Sequence, residues 1–432
     1  MKRPFRRLVI IVRADPVICG HSGEARNLAE VALKRGFDDV RLLTWPIPVL
    51  EAAGLPLKPL DRLQEYSPGI TVERPEPVGD YRVPDGRYLA GLTGRLVELL
   101  TDGVPTTCLS MYLMPHTTVV GDAVSAAAAA GLDTDVTTIA KAVGSDVTNV
   151  IRNCLLDGAV GAAIALMARY LGSDRVVAVS EYTKDEIVAA ATELDERAGT
   201  RFAQECRDRI ETSYPAIDTG AFLDLDEDAV EAVLASRGLE RNGYVLFLSR
   251  VARAKGVDDL IHAYRDSAAA EKVKLVVAGT GPQLQEYQDL AAGDDRIVFL
   301  SDVDDDEKPL LMRGCAAYAL PTRPEPEFVE TFGIALAEKM LAGGGPIITC
   351  LTGGTGEAVG NTAFIVPHSD RAALAETIDQ AISLPESERH AMEMRARQHA
   401  LTFDRFRVFD DMFGTSEAPG YIGPAELAAT GT

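Results

Sequence analysis

A chain of 432 residues is about three times a common single-domain length, so two domains are the first expectation. Apolar residues make up 47% and charged residues 25%, which excludes disordered, collagen-like and disulfide-scaffold proteins. Lys and Arg number 43 against 65 Asp and Glu, a net charge of -22 that disfavours nucleic acid or an anionic membrane as partner, so any bound phosphate needs local cations and backbone amides.

The N-terminus is basic, but its apolar run Leu8–Val12 is too short for a signal peptide and predicts a buried strand. Val40–Thr44, Val136–Ala140 and Arg175–Ser180 repeat that pattern, with helical stretches such as Glu24–Arg35 and Tyr182–Glu193 between them. Residues 46–90 are rich in proline and glycine and predict an irregular insertion. The alanine-rich stretches Ala123–Leu132 and Gly158–Ala168 fall well below the ~20 residues of a bilayer span, so no transmembrane segment is expected. After a polar helical stretch, Asp224–Arg241, the pattern restarts with strands at Tyr244–Ser249, Lys274–Ala278, Ile297–Leu300, Ala316–Leu320 and Pro346–Cys350. Helices are expected between them, among others at Val257–Arg265 and Ile334–Leu341.

Continuous apolar strands between amphipathic helices predict parallel sheets covered on both faces. The expected class is α/β, with two Rossmann-like doubly wound domains at 1–222 and 243–400, a linker at 223–242, and a C-terminal helix and tail at 401–432. The six cysteines never fall closer than 35 residues apart and form no C-x-x-C spacing, which predicts free thiols in a reducing cytoplasm.

Ligands of doubly wound sheets sit beyond the carboxyl ends of the strands, so the loops there are the place to look. No G-x-G-x-x-G follows a strand: Gly279-Thr-Gly281-Pro282 carries Leu284 in the third position, and Gly20-His-Ser-Gly23 is shorter still. A nicotinamide or flavin site is therefore not indicated. Tyr244–Ser249 instead runs into Arg250, Arg253 and Lys255, a cationic cluster suited to a diphosphate. Glu330 and Glu338 flank the start of a helix read from about Gly333. Eight helical residues would separate them by roughly 12 Å, so they could hold two ends of an extended ligand but not one atom. The amides of Phe332 and Gly333 would face an anion at the helix N-terminus. A third loop, Gly353–Glu357, follows the last strand. A solvated basic loop and a plain N-capped acidic helix are the bland alternatives for these features.

E-T-F-G-I-A-L-A-E at 330–338, G-G-T-G-E at 353–357, S-R-V-A-R-A-K-G at 249–256 and V-V-A-G-T-G-P at 276–282 together resemble the donor domain of retaining glycosyltransferases of family 4, which have the GT-B fold. V-V-A-V-S-E-Y-T at 176–183 and Y-P-A-I-D-T-G-A-F at 214–222 resemble the end of that family's acceptor domain more loosely. The resemblance implies transfer of a sugar from a nucleoside-diphosphate donor of GDP or UDP type across a cleft between two domains, with anomeric retention and neither metal nor cofactor. Arg250 and Lys255 would bind the diphosphate, Glu330 the donor sugar, Thr331, Phe332 and Gly333 the phosphate region, and Glu338 the ribose. Gly23, Gly281 and Val303 would complete the donor site. The family's histidine before a tyrosine is Met111 here, ahead of Tyr112. His116 is the alternative polar group and is placed with Glu330, Arg250 and Lys255 as catalytic, while His21, Tyr112, His116 and Asp146 form the acceptor set. Each of His21, His116 and Asp146 also has an ordinary structural reading, as a core residue or a helix cap. The acceptor is expected to be small (an aminocyclitol, sugar or thiol, as in actinomycete antibiotic biosynthesis), and a homodimer is left open. An epimerase or hydrolase of the same fold and a non-catalytic nucleotide-sugar binder are the alternatives.

Overall fold

The computed structural model describes residues 5–76, 86–144, 146–326 and 328–414. The chain divides into two compact units. The first runs to Ala216 and takes in the helix Arg405–Phe413. Its sheet contains β1 (Arg7–Ile11), β2 (Asp39–Leu43), β3 (Ile70–Glu73), β4 (Thr106–Met111), β5 (Val136–Ala142), β6 (Arg175–Ala178) and β7 (Ile210–Thr212). All pairings are parallel, in the order β3-β2-β1-β4-β5-β6-β7. Ile10 pairs with Leu42 on one side and Leu109 on the other. Every side chain of Leu8–Val12 is buried, as a strand covered by helices on both faces requires.

The Arg405–Phe413 helix returns to this sheet. Phe409 meets Phe37 edge to face with ring centroids 6.1 Å apart. Arg35 donates to both carboxylate oxygens of Asp410, at 2.7 and 2.6 Å, in a buried pair. A forked, two-bond pair of this kind fixes the helix in one register.

The second unit spans Ile217–Asp404. It holds β8 (Tyr244–Leu248), β9 (Lys274–Ala278), β10 (Ile297–Leu300), β11 (Ala317–Leu320), β12 (Ile347–Thr349) and β13 (Phe364–Ile365), all parallel, in the order β10-β9-β8-β11-β12-β13. The stretch expected as a helical linker, 223–242, does form a helix, Glu227–Ser236 from an Asp226 cap, but it belongs to this unit, so the division falls earlier, after Ala216. The expected strands are present to within two residues at each end. Four strands escaped the sequence reading: β3, inside the segment expected to be irregular, and β4, β7 and β13. β4 is the central omission, because its sequence T-T-C-L-S-M is too polar to stand out as an apolar run. All six cysteines are free, and among the described residues no helix is long and apolar enough to cross a membrane.

Candidate functional site

In each sheet the chain order reverses once, between β1 and β4 in the first and between β8 and β11 in the second. Such switch points open a crevice at the strands' carboxyl ends. In the second unit that edge is built from the segment after β8, which carries Arg250 and Lys255, and the segment after β11, which leads to Glu330.

The two segments meet through charge. Lys255, on a short 3-10 turn (Arg253–Lys255), donates from Nζ to Glu330 Oε2. Their side chains are only 10% and 12% exposed, so Lys255 does not sit on the open solvated loop that was the bland alternative for this segment. Phe328 lies beside the pair, its ring centroid 5.2 Å from Lys255 Nζ and 5.9 Å from the Arg250 guanidinium. Arg250 is exposed and forms no ion pair among the described residues. Arg253 points outward, 3.9 Å from Glu286. Arg323 pins the loop after β11, donating to Asp258 and Asp259 at 3.0 and 2.8 Å and to Glu325 at 2.9 Å.

The glycines have a different task from the one expected. A Cβ on Gly353, whose φ is +58°, would stand 2.0 Å from the Glu330 carbonyl oxygen. The same oxygen accepts from the Gly354 amide at 2.9 Å. Gly353 and Gly354 pack against the backbone that carries Glu330, an approach that only glycine permits at Gly353. Gly281 similarly lies against the Val251 carbonyl, with 2.2 Å available to a Cβ.

The helix after Glu330 spans Ile334–Ala342, with Gly333 as its cap at φ +99°. Glu330 precedes it, so the roughly 12 Å spacing of a continuous helix does not apply; from Ile334 to Glu338 the rise is about 6 Å. Glu338 accepts from Lys308 Nζ at 2.7 Å through Oε1. Phe332 is buried edge to face against Phe403, centroids 4.9 Å apart, so its ring supports the loop from behind. Thr331 and Val303 are part-exposed.

The first unit places its expected residues differently. Gly20–Gly23 is no loop: it forms the first turn of the helix Gly20–Lys34, and the Gly23 amide is bonded to the Cys19 carbonyl. His21 lies on that turn, edge-on to Tyr112 at 5.1 Å. Tyr112 itself has φ +86° and carries the Arg13 guanidinium 4.3 Å over its ring. His116, expected to face an acceptor, is wholly buried between Trp45 and Tyr112, with centroids at 4.9 and 5.5 Å. Neither of its ring nitrogens is hydrogen-bonded. Burial and the nearby Arg13 charge hold it far below the ordinary histidine range, against a weaker opposing influence of the Met111 backbone. A neutral core histidine takes no part in a surface reaction, so His116 leaves the catalytic set. Asp146 begins a short helical turn, Asp146–Ile151, and its side chain lies outside the described residues.

Sequence reasoning missed a buried pair beside His21. Lys141 Nζ donates to Glu24 Oε1 at 2.6 Å, both side chains being 0% exposed. Burial opposes the Glu24 charge, but Lys141, and less strongly His21, hold its carboxyl below the usual range. Glu24 Oε2, without a hydrogen bond, faces His21 Nδ1 at 3.9 Å. The signal was present: a lysine inside the strand V-T-T-I-A-K-A demands a buried partner.

Solved structures carry the same architecture. HepE of Anabaena, solved with UDP-glucose, superposes over 95% of this chain and 99% of its own with a TM-score of 0.65 at 19% identity. The fold is GT-B. Residues 234–399 match the family model described as glycosyl transferases group 1, a stretch that contains both lysines and both glutamates of the site. Among curated proteins, the N-acetyl-alpha-D-glucosaminyl L-malate synthase of Bacillus anthracis is 26% identical over 46% of this chain and 50% of its own length. An uncharacterized glycosyltransferase of Methanocaldococcus jannaschii is 26% identical over 42% of this chain and 46% of its own. The chain thus spans about half the length of the curated relatives it matches.

Proposed function

We propose that the protein is a retaining, metal-independent glycosyltransferase that moves a hexose-like sugar from a nucleoside-diphosphate sugar to a small acceptor. The observation that carries this reading is the contact of Lys255 with Glu330 at the switch point of the second sheet, inside the stretch that matches the group 1 glycosyl transferase model. A diphosphate shares the Lys255 ammonium from the solvent side, and Arg250, exposed and mobile on its long side chain, closes on the same oxygens. The amides of the Ile334–Ala342 helix, capped by Gly333, support the developing charge on the leaving diphosphate. Glu330 takes hydroxyls of the transferred sugar and Glu338 those of the ribose. UDP is the first base to test, since the HepE structure holds UDP-glucose.

The first unit holds the acceptor, with His21, Tyr112 and Arg13 at the carboxyl ends of β1 and β4. Small acceptors of the aminocyclitol, sugar or thiol kind suit this polar aromatic cluster, and a role in natural-product assembly in the cytoplasm is part of the same reading.

Thermal denaturation with UDP, GDP, ADP and dTDP identifies the donor nucleotide, because a ligand at a hundred times its Kd stabilises the fold by about 2.7 kcal/mol. Release of the diphosphate from its sugar donor should then depend on an added acceptor, and the product should keep the donor's anomeric configuration by NMR. Absence of stabilisation by any of the four diphosphates refutes the reading.

A further inference from the structure

Lys308 lies outside every motif that singled out the donor site, yet its ammonium is held from two directions. Nζ donates to Glu338 Oε1 at 2.7 Å and stands 5.5 Å from the ring centroid of Phe222, a buried residue of the short helix Gly220–Leu223. Both members of the ion pair are largely covered, with side-chain exposures of 21% and 15%. This is not a loose surface pair, whose two long side chains would have to be ordered for almost no gain.

The pair is one-sided. Lys308 donates to Oε1, and the hydrogen bonds seen among the described residues include no other side-chain donor to this carboxylate. An ionised carboxylate offers about four lone-pair positions, so a fixed ammonium on one of them leaves both oxygens able to accept. Two hydroxyls on adjacent carbons fit that acceptor. A lysine held both by the carboxylate and by a nearby aromatic ring also limits the rotamers of that carboxylate, and reduces the side-chain entropy that binding would otherwise cost.

We propose that Lys308, backed by Phe222, is a positioning residue that sets Glu338 to read a vicinal diol, and so makes the site select ribonucleoside over deoxyribonucleoside diphosphates. This rests on the donor-nucleotide reading above. The competing outcome is that Lys308 merely occupies Glu338 and opposes the ligand.

The test is calorimetric titration of the full chain with UDP, GDP and their 2′-deoxy and 3′-deoxy forms. Wild-type protein, Lys308→Met, Lys308→Arg, Glu338→Gln and the Met/Gln double variant are compared, each after its melting temperature is confirmed. Wild type should prefer the ribose form by about tenfold or more, the scale of a charge-assisted hydrogen bond. Lys308→Met should reduce that preference at least threefold, Lys308→Arg should restore most of it, and the double variant should lose no more than Glu338→Gln alone. The proposal is overturned if Lys308→Met keeps the wild-type preference, or binds the ribose form more tightly, while Glu338→Gln loses it; the donor reading then stands. Failure of the wild-type protein to bind any of these diphosphates overturns both.

Discussion

Replacing Glu330 by Gln tests the proposed roles of phosphate cation and sugar-hydroxyl acceptor separately, because both are assigned to one ion pair, Lys255 with Glu330. In the free protein Lys255 already has an anion on one side. A diphosphate oxygen accepting from a second N–H of Nζ would stand about 4.5 Å from the Glu330 carboxylate, since the N–H bonds of a tetrahedral ammonium diverge by about 109° and each charge-assisted bond is about 2.8 Å long. Two unit charges at that distance repel by about 3.7 kcal/mol at an effective dielectric of 20 and about 0.9 kcal/mol in water. The pair is about nine-tenths covered, but an arriving ligand brings solvent with it, so about 1–2 kcal/mol is the working figure. Gln keeps the shape and removes the charge. The sugar-free diphosphate should therefore bind about five- to thirty-fold more tightly to Glu330→Gln, while turnover of the sugar donor falls about tenfold or more through loss of a charged acceptor for its hydroxyls. Calorimetry with the preferred diphosphate and steady-state kinetics with its sugar conjugate measure both. If Glu330→Gln binds the diphosphate no better than wild type, the Glu330 charge is not felt where the phosphate sits, and Lys255 is not the phosphate cation.

Three further outcomes are expected. Gly353→Ala, with only 2.0 Å available before the Glu330 carbonyl and a φ of +58°, should cost about 1–3 kcal/mol of strain and displace Glu330; a variant with unchanged melting temperature and donor turnover would contradict the packing argument. Chelation by EDTA should leave diphosphate release unchanged, since in the proposed site Arg250 and Lys255 supply the positive charge; loss of activity restored by magnesium or manganese would refute this. His116 is held neutral by burial in the fold but titrates near 6.5 when unfolded, so the unfolded state binds the extra proton and stability falls as pH drops below that value, by at most about 1.4 kcal/mol per unit. Denaturant melts at pH 5 and 7 should show the difference shrink in His116→Phe; an equal pH dependence in both proteins would place the titration elsewhere.

What the sequence made legible follows from how each feature is encoded. Buried parallel strands such as Leu8–Val12 and Lys274–Ala278 declare themselves by unbroken apolar runs, whereas β4 sits at the centre of its sheet with three hydroxyl side chains in six residues. Two of those hydroxyls are bonded locally: Thr106 to the Val104 carbonyl and Ser110 to Thr117. That local satisfaction lets a polar strand be buried, and it leaves no trace in hydropathy. The placement of Arg250, Lys255 and Glu330 after the ends of β8 and β11 was legible because each lies a few residues beyond an apolar run. Lys308 was not, because its pairing with Glu338 joins residues 30 positions apart on two helices. His116 had two readings, an acceptor-facing group and a helix-start or core residue, and the packing of Trp45 over it decides for the core.

The charge excess of the chain bears on how such a site must be built. With 65 acidic residues against 43 basic ones, a cation at a strand end has carboxylates nearby in plenty. Lys255 is matched to Glu330, Lys308 to Glu338 and Lys141 to Glu24. The pairing with Glu330 keeps the Lys255 ammonium aimed at the strand-end crevice. The ligand then does not have to order the cation, but it must share it. Under the proposed donor reading, selectivity is expected from that sharing: a bare anion meets the Glu330 charge with nothing to offer it, whereas a sugar diphosphate brings hydroxyls that donate to the same carboxylate as its phosphate takes the ammonium. A donor carrying both groups should therefore outcompete inorganic diphosphate, and competition titration of the two is the check.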